Sequence, residues 1–448
     1  MRAAAAIILV LAGCSEGGEP EGPPPRPDSI TVRPLGVRGA EVGWHDRSEG
    51  SAWFSVERSD AGEPFREVGR RPPGSGVWEE WGLAPGSSHR YRVRALDGKG
   101  RSQPSDAIEV VMPPTLVPEP RVEVFDRMAV SPGVTLFNIE DYHDIFGLAA
   151  VMAVDEEGTV LFHLELPGQA VSETDVFPNG DILAQVGTAF SRIDRKGDLV
   201  DWNERYFLHH DVDVLPWGNL LAITSEPRLG KTGLLSDAYS TDIILEIDVA
   251  SGDIVWGINL DTIISPGEIC PLCIDTQVGG GKDWIHMNSL DYDLYEEAVY
   301  ISVRNANRIY KLSYPEGEVE WVMGDGGDFG EGLFDHQHNP VRLAPGRILV
   351  FDNGFHTGPF SEDRSRIVEI EYDPAAGAAR IVWIYDGPPP FFSEAQGDVS
   401  PLPNGNILVT DSGGPRILEI TREGLPVWEL TLPPPYLIYK AHRIENFP

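Results

Sequence analysis

HDVDVLPWGNLLAIT (210–224), followed by IILEIDVASGDIVW (243–256), decides the fold. The first stretch reads as a strand, a tight glycine turn and an apolar strand; the second as a strand, a turn and a strand closing on a bulky residue. Both recur along the chain. The first type returns as SETDVFPNGDILAQ (172–185), HNPVRLAPGRILVFD (338–352) and GDVSPLPNGNILVTD (397–411), and HMNSLDYDLYEEAVYISVR (286–304) fills the same slot with a longer acidic turn. The second returns as AVMAVDEEGTVLF (150–162), SRIDRKGDLVDW (191–202), RIYKLSYPEGEVEW (308–321), IVEIEYDPAAGAARIVW (367–383) and ILEITREGLPVW (417–428), which makes six in all. Two hairpins per repeat give four antiparallel strands, one propeller blade, so the repeats predict a six-bladed β-propeller over residues 126–448. The closing AHRIENFP (441–448) matches the start of a slot and is expected to complete the blade begun near 134–164, removing a free sheet edge. The acidic turn at Asp291, Asp293, Glu296 and Glu297 is expected to be solvated.

Working outward, residues 29–112 alternate apolar and polar positions in SITVRPL, AEVGWHD, AWFSVERS and HRYRVRALD, separated by Gly, Pro and Asp turns. This is the pattern of a small β-sandwich, so the whole chain is expected to be all-β. With Trp44, Leu83 and Tyr91 it resembles a fibronectin type III domain, a class of module that serves as spacer or docking surface. Residues 113–125, Pro-rich at the start, read as a linker. At the N-terminus, Arg2, an apolar run and Leu11-Ala12-Gly13-Cys14 look like a bacterial lipoprotein signal and lipobox, too short to span a bilayer. On that reading residues 1–14 are processed, Cys14 carries lipid, and 15–28 is a flexible tether. The protein is then an exported lipoprotein, periplasmic or at the cell surface, attached to a membrane through its N-terminal lipid.

The formal net charge of −35 argues against nucleic-acid partners, because a polyanion is repelled over most of such a surface. After Cys14 the remaining cysteines are Cys270 and Cys273 in CPLC. In an oxidising compartment a local disulfide stands ahead of a metal site, since no second pair completes a zinc set.

Aligning the slots on the turn glycine sets a register. His210 lies eight residues before Gly218 and His338 eight before Gly346, while His286 opens its slot and His442 opens the last one. A position repeated around the ring gathers side chains at one mouth, so these histidines are expected together, with Arg304 and Asn353 arriving at the same end on the second strands. His209 has the opposite strand parity to His210, and His336 lies two residues further out than His338. The long connections 257–284, 323–335 and 384–396 are candidate lids.

The motifs HHDVDVLPWGN, DWIHMNSLDYD followed by SVRNANRIYKL, DHQHNPVRL and FDNG resemble those of the bacterial arylsulfate sulfotransferases, six-bladed propellers preceded by a β-sandwich. The most specific element is His286-x-Asn288 with Arg304 eighteen residues on. The resemblance implies transfer of a sulfuryl group from a small phenolic sulfate donor to a phenolic acceptor through a sulfated histidine, with no nucleotide sulfate, cofactor or metal. It implies His338 as the nucleophile, with His210, His286 and Arg304 as catalytic partners and Asn288, His209 and Asn353 as substrate-binding residues. The chemistry suits the residue types: a neutral imidazole is a good nucleophile near neutral pH, and fixed positive donors stabilise the equatorial oxygens of a loose transition state. Two other readings stay open. One is a tethered, non-catalytic propeller that binds a glycan or protein through the same mouth; the other is a metal-dependent hydrolase built on His210, Asp211 and His286. Oligomeric state is open, a homodimer included.

Overall fold

The structure is a computed structural model that describes residues 22–141, 148–167, 170–228, 239–265, 269, 275–276, 282–354, 364–388 and 390–445. Cys14, Cys270 and Cys273, with the signal and most of the tether, lie outside the described residues. No α-helix occurs among the described residues, and only short 3-10 turns such as Arg304–Ala306 interrupt the strands. The chain is all-β, as expected.

The chain divides into two compact units. One comprises Met1–Arg33, Ala40–Glu79 and Ser88–Val111. Its strands alternate buried and open positions, as in Ser88–Asp97, where Tyr91, Val93 and Ala95 are fully buried. Val42, Trp44, Phe54 and Val56 are buried as well; Phe54 lies opposite Ala95 and Val56 opposite Val93, and the Trp44 and Phe54 rings lie 5.3 Å apart.

The second unit comprises Pro34–Gly39, Glu80–Ser87 and Met112–Pro448. From Val171 onward its sheets, antiparallel except where Lys282–Asp283 joins Tyr239–Ser240 in parallel, follow chain order, each led by one strand: β1 (Val171–Val176), β2 (Leu208–Val214), β3 (Met287–Asp293), β4 (His338–Ala344) and β5 (Asp398–Pro401). The last led strand is β6 (Ala441–Ile444), which pairs with Val134–Asp141 at the other end of the unit, His442 opposite Leu136. Leading strands lie side by side from β1 to β5, and β6 lies against both β1 and Ile407–Asp411. Second strands such as Ala298–Val303 are buried along their whole length, because each sheet is covered by a neighbour on both faces. Leu221, Ile223 and Ile244 thus meet Val299, Ile301 and Leu312 of the next sheet, each such burial contributing about 1.5–3 kcal/mol. Gly218, at φ 91°, takes the turn that returns β2 into its second strand.

Two expectations change here. Arg121–Phe125, read as linker, is a strand on the outer edge of the last sheet, with Phe125 opposite Trp428. Its apolar Val122 and Phe125 pack on a core that the linker reading had not counted. The acidic turn is solvated only in part: Glu297 is exposed, whereas Asp293 and Glu296 are engaged by other strands. Asp293 and Glu296 bind Arg342 of the next sheet at 3.1 and 2.8 Å, and Glu296 also binds Lys311 at 2.7 Å. Asp291 is raised to about 7 by burial and by the neighbouring Asp293 and Asp211.

Candidate functional site

Where the leading strands begin, the backbone leaves the extended region. His210, His286, His336 and Asn339 have φ of 61°, 53°, 54° and 45°. Non-glycine residues in this left-handed region cost of order 1–3 kcal/mol each and persist only where their surroundings hold them. The pairing registers of β2, β3 and β4 shift at these points, as bulges require. The consequence is local: strict alternation fails at the mouth, and consecutive side chains turn toward one another.

His209 and His210 show this directly. Their Nδ1 atoms are 2.7 Å apart and their rings meet edge-on at 4.9 Å, although strand parity placed them on opposite faces. His210 in turn lies 4.8 Å, ring to ring, from His286. His286 Nδ1 is 2.8 Å from Asp283 Oδ2, and the Arg304 N–H donates to the His286 carbonyl at 3.1 Å. Burial, then His286, His209, His338 and Arg304, hold His210 well below the usual imidazole range.

His338 is 3% exposed, and its Nδ1 lies 2.7 Å from Asn353 Oδ1. The Asn353 amide nitrogen donates to the carbonyls of Ser393 and Gln396, both at 2.8 Å, so its oxygen must face the histidine. An amide oxygen only accepts, which places the proton on Nδ1 and the lone pair on Nε2. Burial pushes His338 down to about 3; the Asn353 bond opposes this, and His286 and Arg304 add to it. The ring is therefore neutral at physiological pH. Asn288 is fully buried and donates to the Gln337 carbonyl at 2.8 Å, and Gln337 donates onward to Ser302 Oγ and the Arg308 carbonyl, both at 3.0 Å. These bonds fix the segment that carries His338.

The structure thus gathers His209, His210 and His286 by direct contact, with Arg304 and His338 both opposing a positive charge on His210, and sets Asn288 and Asn353 behind as supports. His336 is turned aside onto Asp335 at 2.5 Å. His442 does not join them. Its Nε2 is 3.4 Å from Glu173, and it lines a cavity of about 280 Å³ with Asp175, Asp213, Asp291, Asp398 and Lys440. The closing strand has no turn glycine after it, so its register could not be anchored from sequence. Lys440 was missed altogether: buried, it reaches Asp211 at 2.5 Å and Glu173 at 2.8 Å. Asp211 also accepts the Leu290 N–H at 2.9 Å, which turns it away from the role a His210–Asp211–His286 metal site would need. A second cavity, of about 520 Å³, has Arg304 in its wall beside Phe392, Pro434, Pro435, Tyr436 and Leu437. Its loop residues 392–396 belong to one of the expected lids.

Residues 144–424, more than half of the chain, match the arylsulfotransferase (ASST) family. Among curated proteins, the arylsulfate sulfotransferase AssT of Escherichia coli O6:H1 is 24% identical over 276 residues, 52% of this chain and 43% of that protein. The chain therefore matches less than half the length of this relative. Among solved structures, a Bacteroides caccae protein of unknown function is 14% identical with a TM-score of 0.46, covering 69% of this chain and 98% of that one. A human fibronectin type III domain is 18% identical with a TM-score of 0.19, covering 22% of this chain and 94% of that one.

Proposed function

The chain belongs to the arylsulfotransferase family, and from that premise we propose that it moves a sulfuryl group from a phenolic sulfate ester to a phenolic acceptor, with His338 as the atom of transfer. The observation that carries this reading is the amide of Asn353, which fixes the neutral His338 in the tautomer with a free Nε2 lone pair. In the first half-reaction Nε2 attacks the sulfur in line, the aryl O–S bond breaks, and the aryloxide leaves, a basic one taking its proton from His210. In the second, the acceptor oxygen attacks the N-sulfo group and returns His338 to its starting form. Arg304 and His286 hold the equatorial oxygens, where forked, fixed donors in a closed mouth are worth more than in water. The cavity beside Arg304 takes the aryl ring against Phe392, Tyr436 and the Pro434–Pro435 pair. Asn288 and Asn353 serve as positioning residues in this scheme.

The same reading treats the sheets led by β1 to β6 as the six blades of a closed propeller, and residues 29–112 as a fibronectin type III-like module between a lipid-bearing Cys14 and the propeller. It keeps Cys270 and Cys273 as a local disulfide and the protein as exported. No described helix is long and apolar enough to cross a membrane. Incubation with 4-nitrophenyl sulfate and phenol tests the activity: nitrophenol release that depends on the phenol supports it, and an unchanged donor sinks it.

A further inference from the structure

His209 is a residue whose placement strand parity misjudged, and its surroundings give it a task. It stands between His210 and Asp242. On one side its Nδ1 shares a 2.7 Å contact with His210 Nδ1. On the other, its buried Nε2 makes no hydrogen bond among the described residues and lies 3.4 Å from Asp242 Oδ1. Asp242 is 1% exposed, and its other oxygen accepts the Met287 N–H at 2.7 Å, which aims Oδ1 at the histidine.

We infer that Asp242, His209 and His210 form a proton relay, in which His209 is the positioning residue that takes over the proton His210 removes from the acceptor phenol. The inference rests on the sulfotransferase reading. Two neutral imidazoles can share an Nδ1···Nδ1 contact only if one donates and the other accepts. With the His209 Nε2–H toward Asp242, His209 Nδ1 accepts, His210 Nδ1 donates, and the lone pair on His210 Nε2 is left to serve as the base. In the acceptor step the phenol proton passes to His210 Nε2, and the His210 Nδ1 proton passes to His209 Nδ1. The phenolate oxygen takes the sulfuryl group as the bond to His338 Nε2 breaks. His210 ends neutral, and His209 ends as an imidazolium beside a carboxylate. In the donor step a basic aryloxide takes the proton back along this path; when the leaving group needs none, as with 4-nitrophenolate, the relay releases its proton to solvent before the next acceptor step, and no oxidant or reductant is needed.

The charges around His210 explain why a second histidine is required. His286, His209, His338 and Arg304 all oppose a positive charge there, as does burial, while Asp211 next in the chain is bound to Lys440. A lone imidazole in that position is a poor base. Moving the charge onto His209 puts it against Asp242 instead.

The test uses the full chain, 4-nitrophenyl sulfate as a donor whose leaving group needs no proton, and phenolic acceptors of graded acidity. In His209→Ala, kcat/KM is expected to fall about 10²-fold for phenol itself and to stay near that of the unaltered protein for a polyhalogenated phenol already ionised at the assay pH. The first nitrophenol burst should fall far less than transfer to phenol. His209→Gln, which keeps a hydrogen-bonding group next to His210 but cannot take up a proton, should show the same acceptor-selective loss. An equal loss on all acceptors, or no loss on phenol, overturns the relay. Failure of the unaltered protein to transfer to any acceptor overturns the sulfotransferase reading itself, a separate result.

Discussion

Two histidines that open equivalent strands end in opposite states. His338, at the start of β4, is held neutral, down at about 3, among His286, Arg304 and a neutral amide. His442, in β6, is held charged: burial opposes its charge, but Glu173 and the nearby Asp175 overcome that and raise it to about 9. The repeat supplies the position, and the neighbours decide the charge. On the proposed function, the end of the leading strands with His210, His286 and His338 serves nucleophilic and proton-transfer chemistry. The Lys440 cluster, which ties β1 and β2 to the closing segment, is built to hold strands together.

If that division is right, the two regions fail differently. The largest effect is expected for Lys440→Met, which leaves Asp211 and Glu173 buried without their cation and should cost about 3–5 kcal/mol in urea unfolding. The turnover of the protein that remains folded should be close to unaltered; a large fall in kcat with intact stability would erase the distinction. Asn353→Ala is the converse case. With Nδ1 no longer pinned, the wrong tautomer competes, and the nitrophenol burst rate should fall about 10²-fold. An unchanged burst would separate His338 from its proposed support.

The smallest effect is on pH dependence. A histidine raised to about 9 contributes stability that is complete below its unfolded value near 6.5 and is lost as pH rises through 9. One lowered to about 3 works the other way, losing stability as pH falls from about 6.5 toward 3. His442→Gln should therefore flatten the alkaline limb of the stability curve and leave the acid limb in place. The burst should meanwhile show no titration of the nucleophile near 6.5, a point that stopped-flow measurements between pH 5 and 8 can settle.

The strand pattern was legible because it is written twice per repeat, by period-two alternation and by a glycine turn, and the pairing of β6 with Val134–Asp141 followed from the same slot. The meeting of His210 with His286, and of His286 with Arg304, was legible because His210 is referenced to Gly218 and His286 to Arg304 eighteen residues on. What resisted reading was whatever departs from the repeat. His209 was assigned by a parity rule that a left-handed His210 breaks. His442 was placed by a register with no turn behind it. The turn at 291–297 looked solvated because its partner, Arg342, comes from another sheet about fifty residues away. Asp242 and Lys440 carry no local signal, since each matters only through residues distant in the chain.

Transfer through His338 is tested most directly by one measurement. The protein is mixed with an aryl sulfate in the absence of acceptor, quenched under alkaline conditions that preserve N-sulfo groups, and digested for peptide mass spectrometry. One sulfuryl group on His338, discharged when phenol is added before the quench, is the predicted result. Donor turnover with the label on another residue, or with no protein-bound sulfuryl group at all, would contradict it.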